Sequence, residues 1–418
     1  MADSGSRSEI APGSVVPSAQ VRDAPPVANP EALLWVNNAL NFVSTVAWYV
    51  AAPFIPLYLA SGGASVGLIG GIIGSAGVVP LLISLHAGAL VDERGPALVT
   101  KGAVVLYAIA GVILTLLPTV WPVAVAYAFI AIANIGFAVG SQAVVAAAST
   151  PATRVRNYGY YSLWTSAGAV IGPLVGGFTT GHFGYRTAFA LVWLLMLPSF
   201  PMAASLRGVP AAPRRAVSFA MAHRLAGTVL RERGISVVLF ISFIVVCGQT
   251  LQQSFYPLYL HKVGLSPTLI GIVVATISVG SIIVRSSLSR GVERFGYARL
   301  LLGAVALLAV TLGIVPQLRH IWWLILASGL MGASLGFTQP LTMSLMVESV
   351  GAELWGVAFG IRQGVQRVAS IVSPIVFGLV TTAFRVETAF FLGGAALLGA
   401  VPIIARGTAR LGSSRRTN

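Results

Sequence analysis

Apolar stretches long enough to cross a bilayer recur along this chain almost without pause, and no other feature narrows its possible folds so far. A hydrocarbon core about 30 Å thick needs roughly 20 helical residues. Such stretches stand near 33–60, 67–91, 98–117, 123–148, 158–180, 187–206, 235–260, 267–289, 299–316, 322–347, 356–382 and 388–405. In lipid every backbone polar group must be satisfied within the protein, which leaves helices for spans of this length. The sequence therefore predicts an all-α membrane protein with twelve transmembrane helices. One long polar interval, 207–234, carries Arg207, Arg214, Arg215, Arg224, Arg231 and Arg233 and divides the spans six and six. The expected parts are a disordered cytoplasmic tail over 1–31, a six-helix bundle over 32–206, a cytoplasmic linker over 207–234, a second bundle over 235–405 and a basic cytoplasmic tail over 406–418. Residues 1–29 are rich in Ser, Pro and Ala without an apolar core, so no cleavable signal is expected there.

Composition agrees, since 9% charged residues against 56% hydrophobic ones cannot clothe a soluble surface. The net charge of +15 does not point to nucleic acid, because the basic residues are spread through short connectors and do not cluster with aromatics. Topology accounts for them. With both termini in the cytoplasm, nineteen Lys or Arg fall in cytoplasmic segments and four outside (Arg186, Lys262, Arg319, Arg385), with Arg285, Arg362 and Arg367 within or at the edge of spans. Basic residues accumulate on the cytoplasmic side, and the opposite orientation would invert the ratio. Cys247 is the single cysteine, so neither a disulfide framework nor a thiolate metal site is expected. No phosphate-binding glycine-lysine loop is present, and no metal or cofactor is expected.

An internal repeat fixes the register of the two halves. Pro56-Leu57-Tyr58-Leu59 recurs as Pro257-Leu258-Tyr259-Leu260, Leu68-Ile69-Gly70 as Leu269-Ile270-Gly271, and Thr187-Ala188-Phe189 as Thr388-Ala389-Phe390, all at an offset of 201. Gly95, Gly159, Pro173 and Gly177 find Gly296, Gly360, Pro374 and Gly378 at the same offset. Two pseudo-symmetric six-helix bundles, parallel in the membrane, are the architecture expected of secondary transporters.

Between the second and third spans lies Gly88-Ala89-Leu90-Val91-Asp92-Glu93-Arg94-Gly95, with a degenerate copy at Ser289–Gly296. This resembles the loop signature of the major facilitator superfamily. The fifth span carries Gly159, Gly168, Gly172-Pro173 and Gly176-Gly177, which resembles the antiporter motif of the twelve-helix drug:proton antiporter branch of that superfamily. The resemblance implies alternating access, with the two halves rocking about a central site, and proton-coupled export of small organic compounds across a bacterial inner membrane, as in multidrug resistance. On physical grounds Gly168, Gly172 and Gly176 share one face of a helix and admit a close neighbour, while Pro173 removes a hydrogen bond and bends it. The stripe is expected to act as hinge and seal at the boundary between the halves, close packing alone being the alternative. Gly172→Leu is accordingly expected to abolish directional transport and leave folding intact. In the eleventh span the matching positions are Gly360, Ala369, Ser373-Pro374, Phe377 and Gly378, so the bend is kept while the groove is partly filled.

Polar and aromatic residues at mid-depth propose a substrate site: Asn41 and Trp48 in the first span, Asn134 in the fourth, Trp164 in the fifth, Gln249, Gln252 and Gln253 in the seventh, and Gln363 and Arg367 in the eleventh. Amides on apolar walls orient a mostly apolar ligand with a few hydrogen bonds; for each amide, interhelical bonding is the alternative. Arg367 lies about 17 Å into its span, where an ionised group faces a cavity or a partner. It either binds an anionic or carbonyl-bearing substrate or is neutralised structurally. Arg362, nearer the cytoplasm, is within expected reach of Asp92, and Arg285 of Glu348. No acidic residue falls mid-span in the first half, which leaves His86 and Glu348 as proton-coupling candidates. A facilitator or importer of a metabolite or sugar is the second reading. A membrane-embedded enzyme would need convergent ionisable residues, and scattered histidines without an acidic cluster in the spans do not supply them. The expected partners are a small-molecule substrate, the proton and the lipid bilayer, with the chain acting as a monomer.

Overall fold

The computed structural model describes residues 29–78, 81–82, 90–91, 93–117, 119–150, 152–206, 209, 227–230, 234–350 and 354–414. Regular structure among the described residues is helical throughout. Ten helical stretches are long and apolar enough to cross a membrane: Pro30–Ser61, Pro96–Leu116, Val120–Ala147, Tyr185–Ser205, Ile235–Lys262, Pro267–Ser286, Tyr297–Gln317, Ile321–Ser349, Val357–Ala383 and Val386–Thr408. These are the first, third, fourth and sixth to twelfth spans. The second contributes the shorter apolar helix Val66–Ala76. The fifth is Arg154–Phe183, 30 residues long, whose Tyr, Ser, Thr and Gly content dilutes its apolar character.

The first and seventh spans are interrupted at matching prolines. In the first, the helix stops at Ala51 and restarts at Ile55, across Pro53 and just before Pro56. In the seventh, the residue matching Pro56 is Pro257, and the chain widens into a π turn over Leu251–Phe255 with the Tyr256 amide reaching the Leu251 carbonyl. A proline lacks its N–H and collides with the carbonyl four residues back; a break and a wide turn are two ways to make room.

The repeat seen in the sequence is visible in space. Gly95 and Gly296 both stand at positive φ, 81° and 76°, where other residues would be strained, and each starts the following helix. The Tyr58 ring meets Phe189 edge-on at 5.5 Å, and its counterpart Tyr259 meets Phe390 at 5.8 Å.

The halves touch along two crossings related by the same offset. The fifth span crosses the eighth where a β-carbon on Gly271 would strike the Pro173 carbonyl and lie 3.0 Å from Gly177 Cα. The second crosses the eleventh where a β-carbon on Gly70 would strike the Pro374 carbonyl and lie 2.9 Å from Gly378 Cα. Small residues let backbones approach in this way, and van der Waals packing then holds them where lipid offers no hydrophobic drive. The ends of the first and seventh spans, Ile55–Ser61 and Tyr256–Lys262, also meet. These contacts lie toward the end of the molecule remote from the tails. Nearer mid-depth, Ser278 donates to the Ala169 carbonyl at 3.0 Å across the same boundary.

Candidate functional site

Behind the closed end the halves enclose a cavity of about 950 Å³. Ala52 and Pro53, at the break in the first span, lie at its closed end, and its lining reaches Arg285 and Leu288 near the tail end. The first half contributes Trp48, Tyr49, Tyr127, Gln142, Tyr158, Tyr161, Ser162, Thr165 and Ser166; the second contributes Gln249, Gln252, Gln253, Ser278, Ser281, Gln339 and Met343. A recess of about 270 Å³ adjoins it, lined by Trp48, Ala131, Asn134, Ile135, Ala138 and Arg367. Trp48 borders both spaces, and its ring stacks on Tyr127 with centroids 6.1 Å apart.

Helical geometry explains the grouping. Gln249 stands just before the π turn and Gln252 and Gln253 within it, and all three line the cavity. On the fifth span, Tyr158, Tyr161, Ser162, Thr165 and Ser166 recur at three- and four-residue intervals, giving an apolar helix one polar face. That recurrence in the sequence marks cavity residues that lone mid-depth amides do not.

Charge in this space is one-sided. Among the described residues, Arg285 is the one charged group lining the cavity and Arg367 the one lining the recess, with no Asp, Glu or His in either wall. Arg362 stands apart. It is 2% exposed, and its guanidinium donates to Ser242 Oγ at 3.1 Å, Gln339 Oε1 at 3.1 Å and Thr342 Oγ1 at 3.2 Å. Three neutral acceptors from the seventh and tenth spans therefore hold it inside the second half, where contact with the first half through Asp92 was expected. Asp92, Gly88 and His86 lie outside the described residues. Glu348 is exposed at the tail-side end of the tenth span and lines neither space. Arg285, expected beside Glu348, lines the cavity.

The structure thus gathers Trp48, Gln249, Gln252 and Gln253 at the cavity, and Asn134 and Arg367 at the recess. Others belong elsewhere. Asn41 is buried, with Nδ2 donating to Thr165 Oγ1 at 2.5 Å, so it ties the first span to the fifth. Trp164 packs edge-on against Trp35 and Phe42 at 5.5 and 5.7 Å. Gln363 is exposed and lines neither space.

The glycine stripe divides in two. β-Carbons on Gly168, Gly172 and Gly176 would lie 2.8 Å from Thr45 Cβ, 2.5 Å from Tyr49 Cβ and 2.9 Å from Val50 Cα, all on the first span of the same half. These three pack within a half and do not form the boundary, which Pro173 and Gly177 supply. Gly159 has open space around its α-carbon. Leucine at 172 would collide with the first span, so it would disturb folding as well as function. In the second half a phenylalanine fills the corresponding groove: Phe377 stands where the fifth span has Gly176, and its ring meets Phe255 at 6.3 Å.

A family model described as Major Facilitator Superfamily matches residues 39–237 and 238–415. The Multidrug resistance protein MdtG of Salmonella paratyphi C (strain RKS4594) is 21% identical over 381 residues, covering 86% of this chain and 91% of its own. The crystal structure of nucleoside transporter NupG is similar in fold, with a TM-score of 0.74 at 14% identity, covering 90% of this chain and 99% of its own. A bacterial homolog to human lysosomal transporter Spinster, in an inward-facing and unoccupied conformation, gives 0.69 at 14% identity, covering 93% and 97%.

Proposed function

Because the chain belongs to the major facilitator superfamily, we propose that it is a secondary active transporter that exports small organic compounds by alternating access. The observation that carries this reading is the cavity between two pseudo-symmetric halves, lined from both and closed at one end by backbone crossings. A site held between two rigid bodies can face either side in turn as they rock. Both tails and the linker over 207–234 are assigned to the cytoplasm from the distribution of Lys and Arg. The closed end is then the outer one, and the structure is read as inward-facing.

Export is favoured over import by the antiporter-type glycines of the fifth span and by the multidrug resistance proteins among the relatives. The lining of tyrosines, glutamines and Trp48 suits compounds with an apolar body and few polar groups. The proton is the proposed driving ion, with His86 and Glu348 as its candidate carriers, and one chain contains the whole cavity, so a monomer suffices. Arg94 and Gly95 shape the loop before the third span. A facilitated or import mode is the second reading, supported by the absence of any acidic side chain from the described cavity lining.

The test is transport by the purified protein in proteoliposomes, with internal pH recorded while compounds of varied charge are presented under an imposed proton gradient. Substrate-dependent proton movement is expected. Substrate flux that never moves protons and ignores the gradient would replace the antiporter with a facilitator.

A further inference from the structure

We infer that the transported compounds are amphipathic organic anions, with the acidic group held in the recess by Arg367 and Asn134 and the apolar body over the stacked Trp48 and Tyr127. This deepens the transport reading and rests on the cavity being the substrate site. The first support is the contrast between two arginines five residues apart on one helix. Arg362 is buried and saturated by three acceptors. Arg367 is half-buried, lines the recess, and has no side-chain hydrogen bond or ion pair among the described residues. An ionised guanidinium at mid-membrane depth is retained where it serves a partner or a pathway, and no protein group in the described lining serves as that partner.

The second support is Asn134. Its amide borders the same recess without a partner among the described residues, and it offers a neutral donor beside a charged one. A guanidinium and an amide NH₂ lining one small space match the oxygens of a carboxylate or phosphonate. The third is the charge of the described lining: Arg285 and Arg367 on one side of the balance and no carboxylate on the other. An organic cation entering here would meet like charge in a space of low dielectric, which selects against it. Trp48 joins the recess to the larger cavity, so an anchored acid would lay its attached ring or chain along Tyr127.

The experiment uses the full chain purified in detergent and a panel built on one apolar body: naphthalene-2-carboxylate, 2-naphthylphosphonate, 2-naphthamide and 2-naphthylmethylammonium. Concentration-dependent thermal stabilisation gives apparent affinities. The carboxylate and phosphonate are expected to bind at least about tenfold tighter than the amide and the ammonium, as one charge-assisted hydrogen-bonded contact warrants. Arg367→Gln is expected to remove that preference and Arg367→Lys to keep part of it, each unliganded variant melting close to the parent. Ammonium or amide binding as tight as the anions, anion preference that survives Arg367→Gln, or failure of every anion to stabilise the protein would overturn the inference. Anions that bind without being moved in proteoliposomes would count against export alone, whereas cations exported without anion binding would count against the inference and leave export standing.

Discussion

Alanine at position 177 separates the boundary between the halves from packing within one half. A β-carbon there would lie 2.6 Å from the Pro267 carbonyl oxygen and 2.9 Å from Gly271 Cα. Reaching ordinary contact requires the fifth and eighth spans to part by about 0.5–1 Å, and overpacking of this kind costs about 1–3 kcal/mol. The penalty falls on the state in which these helices touch, so it converts to a shift of about 5- to 150-fold in the ratio of the two states. Gly172→Ala is the control. Its β-carbon would meet Tyr49 Cβ at 2.5 Å and the Val46 carbonyl at 3.0 Å, contacts inside one half that persist while the halves rock. Spin labels at Ser61→Cys and His261→Cys, in a Cys247→Ser background, report the opening of the closed end by electron–electron resonance. Gly177→Ala should enrich the longer distance by the stated factor. Gly172→Ala should lower the melting temperature and leave the distance distribution as it was. Equal redistribution by both variants, or none by Gly177→Ala despite lowered stability, would refute the division of the stripe into boundary and intra-half positions.

Gln339→Leu removes one acceptor from the buried Arg362 guanidinium and should cost about 1.5–3 kcal/mol; adding Arg362→Met should recover most of that loss, which a double-mutant cycle of thermal stabilities measures. Gly332→Ala would drive a methyl into the Ile277 carbonyl where the tenth span crosses the eighth. It should cost about 2–3 kcal/mol and lower the amount of folded protein recovered from membranes, with no change in the state ratio. The Lys262–Glu387 pair spans 2.7 Å, but its side chains are 47% and 25% exposed. Lys262→Ala should therefore cost at most about 1 kcal/mol, and the difference should vanish when melting is repeated at high salt.

Twelve spans and their pairing into halves were legible because both rest on long-range statistics of the sequence: hydrophobic length and a constant offset. Pro173 and Gly177 were legible as special, yet what they touch was not, because a helical wheel shows that two glycines share a face and not which neighbour occupies it. The same limit misplaced Asn41 and Trp164. Each has the chemistry of a ligand contact, and each is turned toward another helix of its own half by a rotation that only packing decides. Arg285 was noticed for its position near a helix end, and the tail-side extent of the cavity brings it into the lining as well. Arg367 and the glutamines were found by their cost in lipid, the one signal that survives ignorance of neighbours.

The two backbone crossings have a consequence for how such a protein can change over generations. If the halves descend from one ancestral segment that paired with a copy of itself, a single codon once wrote both crossings, and any substitution at the glycine struck both sides together. After fusion the two sites drift independently, and Ala369 at the position matching Gly168, or Phe377 at the position matching Gly176, records that drift. At the crossings themselves the two halves still agree, Pro173 with Pro374, Gly177 with Gly378 and Gly271 with Gly70. Single alanines at 177 and 378 should each weaken one side alone, and because the sites share no contacts their effects should add.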